Sequence, residues 1–85
     1  QISARRVVET AALAKATAVI LTHNHPNGVA MPSADDLAAT KALLKTLASI
    51  GIDLADHIIV GERSALSMAD SGVLHNMKQE VAAGG

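Results

Sequence analysis

The sequence predicts a small α/β domain, a two-layer or three-layer sandwich in which helices cover a sheet of only three strands. Segments rich in alanine and leucine alternate with short apolar segments rich in β-branched residues, in the order helix, strand, helix, strand, strand. A strand followed by a helix and a second strand usually forms a sheet covered by helices. The chain has 85 residues, of which 49% are hydrophobic and none is aromatic, so its core must consist of aliphatic side chains and methionine.

The first helix is predicted from Ala4 to Lys15, after Ser3, because alanine favours helices and serine is a common N-cap. The segment AVILTH, from Ala18 to His23, is short, apolar and rich in β-branched residues, which favours a buried strand. The turn-forming residues NHPNG follow it, and Gly28 and the two prolines shape the return of the chain. The strand is therefore expected to run directly into a loop.

The second helix is the longest predicted element. It begins after Ser33 and ends before Gly51, and its apolar face consists of Leu37, Leu44, Leu47 and Ala48. Strands are predicted from Ile52 to Val60 and from Ala65 to Met68, and the polar tail from Asn76 to Gly85 predicts frayed helix or disorder. The predicted core is aliphatic and comprises Leu37, Leu44, Leu47, Ile50, Ile52, Leu54, Ile58 and Val60.

Composition excludes several function classes. Seven basic and eight acidic residues give a net charge of −1, so nucleic acid is not an expected partner, and the absence of aromatic rings removes the usual base-stacking surface. The apolar run from Ala16 to Thr22 is far shorter than the roughly 20 residues that span a bilayer, and no signal-peptide pattern precedes it. These observations predict a cytoplasmic domain without a membrane partner. The start at Gln1 rather than at methionine predicts that a longer polypeptide contains these residues.

The chemistry-bearing residues cluster where the first strand ends. His23 and His25 are two residues apart, so in extended chain their imidazoles point to the same side. Asp35 and Asp36 follow in the first turn of helix two, about 100° apart around the helix, so that only one of them can face the imidazoles. Two histidines and one carboxylate form a zinc site whose fourth position is open to water. Because the chain has no cysteine, His, Asp and Glu are its candidate ligands.

Each of these residues also has an ordinary structural explanation. Ser33 is a common N-cap, aspartates in a first turn are favourable against the helix dipole, and Asn, Pro and Gly are standard loop residues. The contiguous letters HNH carry no information about DNA cleavage, because HNH nucleases take their name from residues scattered through a larger fold. From the residues alone, either aspartate could be the third ligand.

The spacing of these residues resembles a known signature. His23, His25, Ser33 and Asp36 fit the H-x-H-x₇-S-x₂-D motif of the JAMM (MPN+) zinc metallopeptidases. Within that superfamily, the segments HNHPNG, PSADD, GIDLADHIIVG and SMADSGVL resemble the bacterial RadC family over residues 2–75. The resemblance implies a cytidine-deaminase-like JAMM/MPN sandwich, a small mixed sheet flanked by helices, with its N-terminal strands upstream of this chain. Residues 1–76 would then be the C-terminal part of the domain and residues 77–85 a frayed or disordered tail.

Carried over residue by residue, the resemblance implies that His23, His25 and Asp36 bind Zn²⁺ and that Ser33 helps to stabilise the oxyanion of the tetrahedral intermediate. The family's general base is a glutamate on a strand before helix one, which this chain does not contain. The three glutamates present, Glu9, Glu62 and Glu80, do not occupy that position. Loss of a general base lowers rates by roughly 10²- to 10⁴-fold, so little activity is expected from the chain alone.

The leading hypothesis is therefore a zinc hydrolase domain that acts on peptide or isopeptide-type amide bonds of an unidentified peptide or protein substrate. The alternatives are a non-catalytic metal-binding scaffold and a DNA-repair-associated protein, the latter suggested only by the RadC name. Exposed sheet edges predict either a homodimer or cover by upstream strands. For His57, a strand histidine bonded to a backbone partner is one interpretation and support of a metal ligand is the other.

Overall fold

The computed structural model describes residues 3–25 and 28–84, which form three helices and three strands. The helices are α1 (Ala4–Leu13), α2 (Ala34–Ser49) and α3 (Val73–Ala82), and the strands are β1 (Ala18–Asn24), β2 (Asp53–Val60) and β3 (Ala65–Ser67). The predicted α/β class is confirmed. The loop residues Pro26 and Asn27, which the sequence predicts to turn the chain, lie outside the described residues.

The sheet is mixed, in the order β1-β2-β3. The first two strands are parallel, from Ala18 opposite Asp53 to Asn24 opposite Val60, and β3 pairs antiparallel to β2. Helix α2 connects the two parallel strands, so both strands end at the edge where this helix begins. The backbone N–H of His25 donates to the carbonyl of Val60 at 2.7 Å and extends the pairing past β1. The candidate ligands are therefore brought to one edge of the sheet by topology.

Four boundaries differ from the sequence prediction by one or two residues, among them the start of β2 at Asp53 rather than Ile52 and the end of β3 at Ser67 rather than Met68. Helix α1 ends at Leu13 rather than at Lys15, because Lys15 has a φ of 54°, a left-handed conformation that a helix cannot continue through. Strand β1 includes Asn24, one residue beyond the predicted end, because the pairing with β2 continues to that residue. Helix α2 follows Ser33 as predicted and is followed by Gly51, whose φ of 75° turns the chain.

A β-bulge in β2 changes which of its residues are buried. Val19 lies opposite Leu54, but the next residue, Ile20, lies opposite Asp56, so Ala55 is an extra residue in the strand. A shift of one residue reverses the side of every following side chain. The prediction that Ile58 and Val60 belong to the core is therefore wrong, because both are only half-buried. The side chains that are completely buried beyond the bulge are those of His57 and Ile59.

The buried face of α2 is rotated relative to the predicted one. It carries Asp36 and Thr40 in its first turns, followed by Leu43, Leu44 and Leu47. Because two of these buried positions are polar, the spacing of apolar residues does not reveal this face. That spacing instead predicts a face that includes the half-buried Leu37 and the exposed Ala48. The predicted core residue Ile50 is also exposed, since it lies past the last turn of the helix.

Helix α3 occupies the segment for which the composition predicts frayed helix or disorder. Its Leu74 and Met77 are buried in the core, and Lys78 pairs with Asp53 of β2 at 2.8 Å. A division of the chain at residue 76 cuts through this helix. The helix is held by contacts with elements distant in the sequence, which the local composition does not reveal.

Candidate metal centre

Three side chains at the edge of the sheet face one another. His23 is near the end of β1, His25 follows that strand, and Asp36 is in the first turn of α2. The Nδ1 atom of His23 lies 3.4 Å from Asp36 Oδ1, and the Nε2 atom of His25 lies 3.1 Å from Asp36 Oδ2. One ligand atom of each of the three residues lies within 4.8 Å of the others. The structure thus brings together the three residues that the sequence singles out as ligands.

Local structure explains why these side chains converge. The two histidines alternate with Asn24 along extended chain, so both imidazoles point to the same side, and their ring centroids are 4.8 Å apart. Asp36 is 8% exposed and points toward them, whereas Asp35 is exposed. The helical rotation between neighbouring residues separates the two carboxylates. Of the two aspartates that the residues alone leave open, the fold places Asp36 beside the histidines, which is the aspartate that the resemblance implies.

Ser33 and Asp36 form a capping box at the start of α2. The backbone N–H of Ser33 donates to Asp36 Oδ2 at 2.8 Å, and the backbone N–H of Asp36 donates to Ser33 Oγ at 3.0 Å. Both N–H groups lack partners within the helix, so the two bonds stabilise its first turn. The hydroxyl hydrogen of Ser33 is not used in either bond. Ser33 itself is exposed at the rim of the site.

The capping box also favours the ionised form of Asp36. The backbone N–H of Ser33 is the main cause that lowers the pKa of Asp36 below its ordinary value of 3.8, against the opposing effect of burial. The Ser33 side chain and the positive charge that His23 and His25 can carry lower this pKa further. The carboxylate is therefore ionised at neutral pH and presents oxygens that can bind a cation.

The separations of the ligand atoms can be compared with those of a tetrahedral zinc site. Ligand atoms held at about 2.0–2.1 Å from a tetrahedral zinc ion lie roughly 3.3 Å from one another. The two distances to Asp36, 3.4 Å and 3.1 Å, are similar but run to different carboxylate oxygens, and the three ligand atoms as a set lie within 4.8 Å of one another. The Nδ1 atom of His23 is shielded from solvent and has no hydrogen-bond partner among the residues that the structure describes. This buried nitrogen faces a carboxylate but forms no hydrogen bond with it. Coordination to a metal ion through its lone pair would give the nitrogen a partner.

His57 lies behind this cluster and is completely buried. Its Nδ1 atom is 2.8 Å from Thr40 Oγ1, so the prediction of a backbone partner for this ring is wrong. Burial lowers the pKa of His57 below its ordinary value of 6.5, and His23 lowers it further. The ring is stacked on that of His23, with centroids 6.2 Å apart and an angle of 27° between the planes. Thr40 gives no signal in the sequence, because a threonine in a helix usually lies at the surface.

Gly61 is another residue whose role the sequence does not reveal. A Cβ atom at this position would lie 2.7 Å from Ala30 N and 2.7 Å from Gly28 O, both backbone atoms. The backbone N–H of Glu62 also donates to the Gly28 carbonyl at 3.1 Å. Residues 28–30 therefore pack directly on the end of β2, where only glycine leaves enough room.

None of the glutamates in the described residues supplies an atom to the ligand cluster. Glu9 pairs with Arg5 at 2.8 Å on the surface of α1, and Glu80 pairs with Lys41 at 3.1 Å between α3 and α2. Glu62 is exposed after β2. Among the described residues, the ligand cluster contains His23, His25 and Asp36 but no glutamate.

Comparison with known proteins identifies the family. The family model described as RadC-like JAB domain matches residues 1–73, which is most of the chain. The chain belongs to the RadC family. A RadC relative in Stutzerimonas stutzeri, named UPF0758 protein, is 52% identical over 68 residues, covering 80% of this chain and 30% of the relative. UPF0758 proteins of Bordetella avium and Coxiella burnetii are 50% and 46% identical over 70 residues, which cover 82% of this chain and 31% of each relative.

The RadC resemblance drawn from the HNHPNG and PSADD segments is thereby confirmed at the level of the family. The chain spans only 30% to 31% of the length of these relatives. The names of the relatives carry no statement of activity. Within the described part of this RadC chain, no helix combines the length and the apolar character needed to cross a membrane.

Proposed function

We propose that this chain carries the zinc site of a hydrolase that cleaves peptide or isopeptide-type amide bonds. The observation that supports the proposal is the convergence of His23, His25 and Asp36, with one ligand atom of each within 4.8 Å of the others. A zinc ion bound by two imidazoles and one carboxylate supplies a water molecule of lowered pKa and polarises the carbonyl under attack.

Each residue of the site has a distinct part in this proposal. The imidazoles of His23 and His25 supply neutral nitrogen donors, and the ionised Asp36 balances part of the charge of the cation. Ser33 holds the Asp36 carboxylate through its backbone N–H. Its hydroxyl oxygen accepts from the Asp36 N–H, and its hydroxyl hydrogen is the group that would donate to a developing oxyanion at the exposed rim.

Hydrolysis also requires a group that takes the proton of the attacking water. The glutamates at positions 9 and 80 are held in ion pairs away from the ligand cluster. We therefore propose that the general base is supplied by a part of the protein outside this chain. The chain covers about 30% of the length of a relative, so the full protein has room for such a part. The activity of the whole protein follows from the site only if that group reaches it.

Zinc content tests the site directly. Purified protein is loaded with excess Zn²⁺, desalted and measured by plasma mass spectrometry, together with the variants Asp36→Asn and His25→Ala. We expect close to one zinc per chain in the original protein and a large loss in both variants. Asp35→Asn and His75→Ala are matched controls, because they alter an exposed aspartate of the same helical turn and an exposed histidine.

Two outcomes overturn parts of this proposal. Absence of zinc from the original protein, or equal zinc content in Asp36→Asn and Asp35→Asn, would exclude the metal site. Zinc bound as expected, with no hydrolysis of peptide or isopeptide substrates by a longer protein that includes the upstream sequence, would exclude the hydrolase. The second outcome would leave a non-catalytic metal-binding scaffold as the function.

A further inference from the structure

We propose that His57 and Thr40 act as a positioning pair that fixes the candidate ligands His23 and Asp36 relative to each other. The inference rests on the proposed zinc site. Neither residue belongs to the group of ligand atoms that lie within 4.8 Å of one another. The two residues instead connect β2, which carries His57, with the first turns of α2, which carry Thr40 and Asp36.

The hydrogen bonds of this pair have a defined direction. Thr40 Oγ1 lies 2.6 Å from the backbone carbonyl of Asp36, and a carbonyl can only accept, so the single hydroxyl hydrogen of Thr40 is donated there. The Thr40 oxygen is then an acceptor for His57 Nδ1, 2.8 Å away. His57 must therefore carry a hydrogen on Nδ1. Two consecutive hydrogen bonds therefore connect the His57 imidazole, through the Thr40 hydroxyl, to the backbone carbonyl of Asp36.

The same imidazole also lies beside the ring of His23, a second candidate ligand. The rings of His57 and His23 are stacked, with their centroids 6.2 Å apart. The bulge at Ala55 places His57 on the buried side of β2, and without it the regular alternation would bury Asp56. One buried side chain thus lies beside the ring of His23 and is linked through Thr40 to the helix that carries Asp36.

Core packing alone does not explain a histidine at this position. The Nε2 atom of His57 is buried and has no hydrogen-bond partner among the described residues. A buried polar atom without a partner destabilises the fold, whereas an aliphatic side chain of similar size would carry no such cost. The Nδ1 hydrogen is the feature that leucine could not provide. Partners that orient ligands in this way commonly change metal affinity by 10- to 100-fold when they are removed.

The test compares two threonines of the same helix. Thr40→Val removes the hydroxyl that joins His57 to Asp36. Thr46→Val is the matched control, because Thr46 makes the same type of bond to the carbonyl four residues earlier, at 3.0 Å from Ala42, on the exposed side of α2. Zinc affinity is measured by competition with a chromophoric chelator, and Co²⁺ is added separately to record its visible absorption.

We expect Thr40→Val to bind zinc about 10- to 100-fold more weakly than the original protein and to alter the Co²⁺ spectrum. Thr46→Val should leave both readouts unchanged, and Thr40→Ser, which keeps the hydroxyl, should restore them. His57→Leu should weaken zinc binding as Thr40→Val does. His57→Asn, whose amide can donate near the position of Nδ1, should bind zinc more tightly than His57→Leu.

Folding and function are separated by the design. Far-ultraviolet circular dichroism of every variant reports the helical fold, so that affinities are compared between folded proteins. Equal zinc affinity and equal Co²⁺ spectra in Thr40→Val and Thr46→Val would overturn the positioning pair while the metal site stands. Failure of the original protein to bind zinc would instead overturn the proposed function, and the role of the pair would fall with it.

Discussion

Ser33 and Asp36 hydrogen-bond each other reciprocally at the start of α2, at 2.8 Å and 3.0 Å. The same Asp36 oxygen that accepts from the Ser33 N–H lies 3.1 Å from His25 Nε2. The cap of the helix and the candidate metal ligand are therefore a single arrangement. Formation of the first helical turn orients the carboxylate before any metal binds, which reduces the entropy that binding would otherwise cost.

The first prediction tests the capping role of Ser33. Ser33→Ala should destabilise the protein by about 1 kcal/mol, because the N–H of Asp36 loses its acceptor. Ser33→Asn should retain most of the stability, since asparagine is an equally good N-cap. Thermal unfolding followed by circular dichroism measures both. Equal losses in the two variants would contradict a capping role.

The second prediction concerns the contact between Gly61 and the chain before Ser33. Gly61→Ala should cost about 1–3 kcal/mol, because its Cβ would lie 2.7 Å from two backbone atoms that cannot move independently. Zinc affinity should fall as well, since the displaced segment leads to Ser33. Gly28→Ala is the matched control from the opposite side of this contact, because its Cβ would meet no atom within 4 Å. Urea unfolding of both variants measures the difference, and equal stability of the two would contradict the contact.

The third prediction uses the pKa of Asp56. Burial raises this pKa, but hydrogen bonds from Ser67 Oγ, Ala69 N–H and His57 N–H together lower it below 3.8. A lowered pKa in the folded state stabilises the protein above the unfolded pKa, and this stabilisation is lost as the pH falls through the folded pKa. Asp56→Asn should therefore be about 1–2 kcal/mol less stable than the original protein at pH 7.

The stability difference between Asp56→Asn and the original protein should be constant at and above about pH 5 and should shrink below about pH 4. Urea unfolding at several pH values measures it. Asp70→Asn, in the exposed turn after β3, serves as the control and should show little difference at any of these pH values. If the stability difference between Asp56→Asn and the original protein does not change between pH 7 and pH 3, the lowered pKa of Asp56 is not its cause.

The fourth prediction tests the β-bulge. Ile59 is completely buried, whereas its neighbour Ile58 is half-buried, which is the reverse of what the sequence predicts. Ile59→Val should therefore cost about 0.5–1.5 kcal/mol, and Ile58→Val should cost less. The two variants remove the same methyl group from adjacent residues, so each is the control for the other. A larger loss in Ile58→Val would show that β2 continues without the extra residue Ala55.

Local sequence patterns determined most of the framework. Alanine-rich and leucine-rich segments predict α1 and α2, and the β-branched segments predict β1 and β2 to within one or two residues. The spacing of two histidines, a serine and an aspartate identifies the candidate ligand set. These signals are readable because they depend on neighbours in the chain: a helix needs favourable residues over a few turns, and a strand end places alternate residues on one side.

Tertiary structure decided which of these residues face one another and which partners they have. The approach of Asp36 to both histidines depends on how α2 lies against β1, and the burial of His57 depends on one extra residue in β2. Thr40 and His57 are 17 residues apart, and the contact of Gly61 with Ala30 also crosses elements. A contact between distant residues leaves no mark in the local pattern of either segment, because only packing of the whole chain brings the two together.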